Sequence, residues 1–215
     1  MPLSDRDYMR PSPPPRRRVW AGGDYNDFLK NPVFIIIVIN VIIYLVARVR
    51  TADAIINMGL SPSLFTEKPW TILTNMFVHV DFWHIFGNMI TLFFFGRVVY
   101  QLIGTGRFLL VYFIGGIVGN LLYVWLGEPF SIAIGASGAI YAVAGALVVM
   151  MPTMRVAIWG ILPMPLWAVV LLFFVLWSIP NFIPGIAWQA HLGGIVIGLA
   201  AGYYFRRTLR YLYIR

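Results

Sequence analysis

Gly135-Ala136-Ser137-Gly138-Ala139-Ile140-Tyr141-Ala142-Val143-Ala144-Gly145-Ala146-Leu147-Val148-Val149-Met150-Met151 is an apolar run that opens on a serine set between glycines and stops before Pro152. A second apolar run, over about Ala190 to Phe205, opens on Ala190-His191-Leu192-Gly193-Gly194. A hydroxyl and an imidazole at matching ends of two apolar segments are costly in hydrocarbon and seldom lack a use there.

The composition places the chain in a membrane. Of its 215 residues 60% are hydrophobic and 11% charged, with a mean hydropathy of +0.80. A soluble domain carries about 25% charge. The net charge of +8 does not read as a nucleic-acid patch, because the arginines flank apolar runs instead of gathering on one polar face. The chain has no cysteine, which excludes disulfides and thiolate metal sites.

Six apolar spans are expected, making an all-α membrane protein with six transmembrane helices. They run over about Val33–Val46, Trp83–Ile103, Phe108–Leu126, Ser137–Met151, within Pro165–Trp177, and Ala190–Phe205. Residues 154–164, broken by Pro163, read as an interfacial loop. Residues 1–31 read as a cytoplasmic Pro/Arg-rich tail held near anionic lipid. No small-residue cleavage site follows the first apolar run, so the tail is not expected to be a signal peptide. Residues 32–207 form the membrane domain, and 208–215 a basic cytoplasmic tail.

With both termini inside, thirteen Lys and Arg face the cytoplasm, and only Arg48, Arg50 and Lys68 face out. That asymmetry sets the orientation. The second, fourth and sixth spans then run from outside to inside. His84, Asn88, Ser137 and His191 all fall in the outer half of the membrane, near the starts of these spans.

Helix packing supports a meeting of the fourth and sixth spans. Gly194, Gly198 and Gly202 recur every four residues on one; Gly138, Ala142 and Gly145 line the other. Such small-residue stripes let two backbones approach closely.

The inventory then narrows the chemistry. Serine needs a base to become a nucleophile. Lys30 and Lys68 both lie outside the spans, and no Asp or Glu lies inside one. A Ser-His dyad remains, with Ser137 as nucleophile and His191 as base. His84 and Asn88, four apart on one helix face, are candidate hydrogen-bond donors to an oxyanion, together with the Ser137 backbone N–H. A metal is not expected, because the three histidines have no carboxylate or thiol at their depth. Nor is any cofactor.

Three motifs together carry a family resemblance: Gly135-x-Ser137-Gly138 with Tyr141 four residues past the serine, His84-x-x-x-Asn88 preceded by His79, and Ala190-His191-x-Gly193-Gly194. The chain resembles the rhomboid intramembrane serine proteases, of the six-span prokaryotic type, from Val33 to Arg207. The resemblance implies a rhomboid-like helix bundle and cleavage of single-span transmembrane proteins near the outer face. It implies Ser137 as nucleophile and His191 as general base. It sets His84, Asn88 and Gly135 in the oxyanion region and packs Tyr141 on the catalytic imidazole. The expected partners are transmembrane protein substrates and membrane lipid, not nucleic acid, and the expected location is a prokaryotic plasma membrane. Two departures stand out. Trp70-Thr71 replaces a frequent Trp-Arg pair, which implies a differently braced loop, and Val99-Tyr100-Gln101 lacks a glutamate many members carry. The alternatives are a catalytically inactive rhomboid-like protein that binds client helices, and a small transporter. His79 reads as a loop histidine bonded locally.

Overall fold

A computed structural model describes residues 30–158, 161–178 and 186–213. The tail expected over 1–31 lies outside the described residues, apart from Lys30 and Asn31. The first long helix, α1 (Pro32–Ala47), begins on a proline, and Asn31 caps it by accepting from the Val33 N–H at 2.9 Å. Proline at a first helical position forfeits no bond, since that N–H would be unpaired anyway.

The connection that follows is more structured than a surface loop. It contains a short helix, α2 (Thr51–Met58), and three further turns, Pro62–Leu64, Thr71–Thr74 and Asn75–Phe77. The Trp70 indole donates to the Asn57 carbonyl at 3.0 Å, Lys68 Nζ to the Ile56 carbonyl at 3.0 Å, and Thr74 Oγ1 to the Met58 carbonyl at 2.9 Å. Trp70 is thus the brace, with a lysine beside it.

Helix α3 (Phe82–Ile103) and helix α4 (Thr105–Leu126) are each long and apolar enough to cross a membrane. Asp81 caps α3 by accepting from the His84 N–H at 2.9 Å. A π turn at Leu92–Gly96 interrupts α3. Gly104, at φ +79°, separates the two helices in a conformation that a side chain would resist. Three shorter apolar helices, Pro32–Ala47, Ser137–Met150 and Leu166–Leu176, accompany them.

After α4 comes α5 (Ser137–Met150), then a two-stranded antiparallel hairpin, β1 (Arg155–Ile158) and β2 (Leu162–Pro165), which pairs Arg155 with Pro165 and Ile158 with Leu162. The hairpin stands where an irregular interfacial loop is expected. Pro163 fits because a two-stranded ribbon is all edge, and an edge position can face its missing N–H outward. Helix α6 (Leu166–Ser178) and helix α7 (Trp188–Tyr213) complete the chain, α7 running on past residue 207.

Helices α4, α5 and α7 form the center. Residues Gly138 to Leu147 of α5 are all buried except Tyr141, which is half-buried. A Cβ on Gly194 would overlap the Gly138 carbonyl oxygen, one on Gly198 that of Ala142, and one on Gly202 that of Ala146. The glycine stripe of α7 therefore lies directly on the α5 backbone, as its spacing predicts. Outward, the chain displays Leu45, Trp83, Phe94, Leu110, Trp125 and Tyr204, all well exposed. An apolar surface this wide suits hydrocarbon as its solvent.

Candidate active site

The segment leading to Ser137 is tied down before the helix starts. Leu60 and Ala133 exchange backbone bonds of 3.0 and 2.8 Å. The Gly135 N–H donates to the Asn75 carbonyl at 2.8 Å, and the Ala136 N–H reaches His79 Nε2 at 3.5 Å. Asn75 is itself fixed by a reciprocal amide pair with Asn120 of α4, at 3.2 and 2.8 Å. Both asparagines are buried, and the pairing meets the demand of buried amides for partners.

Gly135 has φ +111°, a conformation that L side chains rarely adopt. A Cβ there would also stand only 2.6 Å from His84 Nε2. The glycine thus turns the chain into α5 and leaves room for the His84 ring against the backbone two residues before the serine.

Ser137 is the first residue of α5, and His191 lies in the first turn of α7. Their side chains meet, with Ser137 Oγ and His191 Nε2 2.8 Å apart. His191 is 6% exposed. The Tyr141 ring, one turn along α5, lies 4.6 Å from the imidazole centroid at a tilt of 41°. Tyr141 in turn meets Phe174 of α6 edge-on at 5.8 Å. The close α5–α7 contact makes this geometry attainable, since a serine side chain has no length to spare.

His84 and Asn88 lie on one face of α3, as their spacing requires. Asn88 Nδ2 donates to the His84 carbonyl at 2.9 Å, which engages one of its two amide hydrogens. His84 meets His79 edge-on, with ring centroids 4.9 Å apart. The N-termini of α3, α5 and α7 converge here. Helix N-termini present unpaired N–H groups and partial positive charge, which favour an anion.

Two side chains make contacts that the motifs do not specify. His79 is 2% exposed, and its Nε2 lies 3.5 Å from a backbone N–H 57 positions along the chain. Burial, and then the neighbouring His84, pushes its pKa down to about 3. Ser178, at the end of α6, places its Oγ 3.0 Å from His191 Nδ1. Neither contact follows a sequence spacing; each depends on how separate segments pack. Among the described residues no cluster of three His, Asp or Glu side chains is arranged to hold a metal ion.

The Rhomboid domain family matches residues 66–208. The chain is 29% identical over 150 residues to rhomboid protein 1, mitochondrial, of Saccharomyces cerevisiae, covering 65% of this chain and 42% of that protein. It is 36% identical over 77 residues to the putative rhomboid protease YdcA of Bacillus subtilis, covering 35% and 38%. It is 30% identical over 158 residues to the rhomboid-like protein 1 of Arabidopsis thaliana, covering 73% and 39%. The chain thus spans about two-fifths of the length of these relatives.

Proposed function

The chain belongs to the rhomboid family of integral membrane proteins, and on that premise we propose that it is a serine endopeptidase working within the bilayer, with Ser137 as nucleophile and His191 as general base. The observation that carries the reading is the 2.8 Å contact between Ser137 Oγ and His191 Nε2 at the joint N-terminal end of α5 and α7.

His191 Nε2 takes the hydroxyl proton as Oγ attacks the scissile carbonyl. The resulting oxyanion sits at the N-terminus of α5, where the Ser137 N–H is free of an intrahelical partner. His84 and the second amide hydrogen of Asn88 complete its donors. The imidazolium returns its proton to the departing amine, leaving an acyl-Ser137. Water, activated by the same imidazole, releases the second product. No carboxylate takes part, which spares the membrane a buried charge.

The substrate is a single-span protein. A closed helix keeps its carbonyls in internal bonds, so the segment at Ser137 must unwind before attack. Small or helix-breaking residues at the outer end of the substrate span make that opening easier. Six spans with both termini inside, as the Lys and Arg distribution implies, put Ser137 in the outer half of a prokaryotic plasma membrane.

The direct test is a serine-reactive fluorophosphonate. The protein is expected to be labelled at Ser137, and Ser137→Ala to be refractory. Labelling of wild type and Ser137→Ala alike, or of neither, would refute the proposed nucleophile.

A further inference from the structure

His191 is held from both sides. On one side Nε2 meets Ser137 Oγ at 2.8 Å; on the other Nδ1 meets Ser178 Oγ at 3.0 Å. Ser178 is 6% exposed and belongs to α6, a different element from either member of the dyad. Its hydroxyl also faces the Tyr141 phenol.

The tautomer follows from the chemistry. If Nε2 is to accept the proton of Ser137, it must be the bare nitrogen, and the neutral ring then carries its hydrogen on Nδ1. An N–H in apolar surroundings needs an acceptor, and leaving it unpaired forfeits its solvation with no return. The Ser178 oxygen lies at hydrogen-bond distance from that nitrogen. A hydroxyl can accept and donate at once, so Ser178 can take the Nδ1–H bond and pass its own hydrogen toward the Tyr141 oxygen.

We propose that Ser178 is a positioning residue for His191. It selects the Nδ1–H tautomer, leaves Nε2 free to act as base, and keeps its bond to the ring when the imidazolium forms. No proton leaves Ser178 in this scheme. The role resembles that of an orienting carboxylate, carried out by a neutral group whose desolvation is far cheaper. The inference rests on the proposed protease activity.

Steady-state cleavage of a single-span peptide by the purified full-length chain tests it, with fluorophosphonate labelling measured in parallel. Ser178→Ala is expected to lower kcat roughly 10-fold or more with KM little changed, since the lost bond acts on proton transfer and not on substrate binding. Ser178→Thr, which returns the hydroxyl, is expected to restore most of kcat. Should Ser178→Ala not fold, Ser178→Cys keeps the shape with a weak sulfur acceptor, and kcat must fall there too. A kcat for Ser178→Ala or Ser178→Cys within about two-fold of wild type overturns the positioning role while leaving the protease reading intact. So does a loss that Ser178→Thr fails to repair. A wild-type protein that neither cleaves nor takes the label defeats the protease reading, and this inference with it.

Discussion

At the scale of single residues, the proposed chemistry is a proton transfer over 2.8 Å and the groups that surround it. Ser137→Ala and His191→Ala each remove that transfer, so each is expected to abolish cleavage, and the double variant to be no worse than either. His84→Ala and Asn88→Ala are expected to be milder. Losing one oxyanion donor costs on the order of 10²–10³ in kcat while other donors remain. Rates from all four variants in one assay check the grading; unchanged rates in His84→Ala and Asn88→Ala would remove both from the site. His79 bears on stability instead. Its pKa falls from 6.5 to about 3 on folding, so below pH 6.5 the unfolded chain binds a proton that the folded chain refuses. Stability from this group is therefore whole above pH 6.5 and is lost progressively as the pH falls toward 3. His79→Gln does not titrate there, and its acid unfolding midpoint is expected at lower pH than that of wild type in a thermal-melt series. A midpoint that stays put would show that His79 does not govern acid stability.

At the scale of elements, the site is a product of how closely α5 and α7 approach. Gly198 lies where a Cβ would overlap the Ala142 carbonyl, and backbone cannot swing aside as a flexible side chain can. Gly198→Val is expected to destabilise the protein by about 1–3 kcal/mol or more and to depress cleavage, although it lies two turns from His191. A melt and an activity assay on that variant check this; wild-type values in both would mean that the approach does not govern the site. This packing was legible in the sequence, because Gly194, Gly198 and Gly202 recur at the helical period. So were Ser137 and His191, each set among small residues at the start of an apolar run. Tyr141 on the imidazole was legible only through the family pattern, since one tyrosine on an apolar face is ordinarily core. The contacts of Ser178 and His79 were not legible. One joins the end of α6 to α7, and the other joins a loop to a backbone N–H beyond two further helices. The hairpin at Arg155–Pro165 was hidden by its two prolines, which read as loop until the partner strand is seen. The π turn of α3 falls in Leu92-Phe93-Phe94-Phe95-Gly96, and nothing in that apolar string marks an added residue per turn.

At the scale of the whole molecule, the convergent N-termini of α3, α5 and α7 are expected to face outward. The absence of cysteine makes this simple to examine, because any introduced thiol is unique. With an impermeant maleimide on intact cells, Glu128→Cys, in the connection between α4 and α5, is expected to react. Arg155→Cys, on the hairpin at the other end, is expected to react only after permeabilisation. The reverse pattern would invert the topology. Orientation also fixes where a substrate must be cut. The wild-type chain and Ser137→Ala, each reconstituted with a single-span substrate bearing Gly, Ala or Pro at its outer end, are compared by mass spectrometry of the products. One cut is expected near the outer end of the span, lost in Ser137→Ala and suppressed when the helix-breaking residues become leucines. A cut at the cytoplasmic end, or the same cut made equally well by Ser137→Ala, would contradict that expectation.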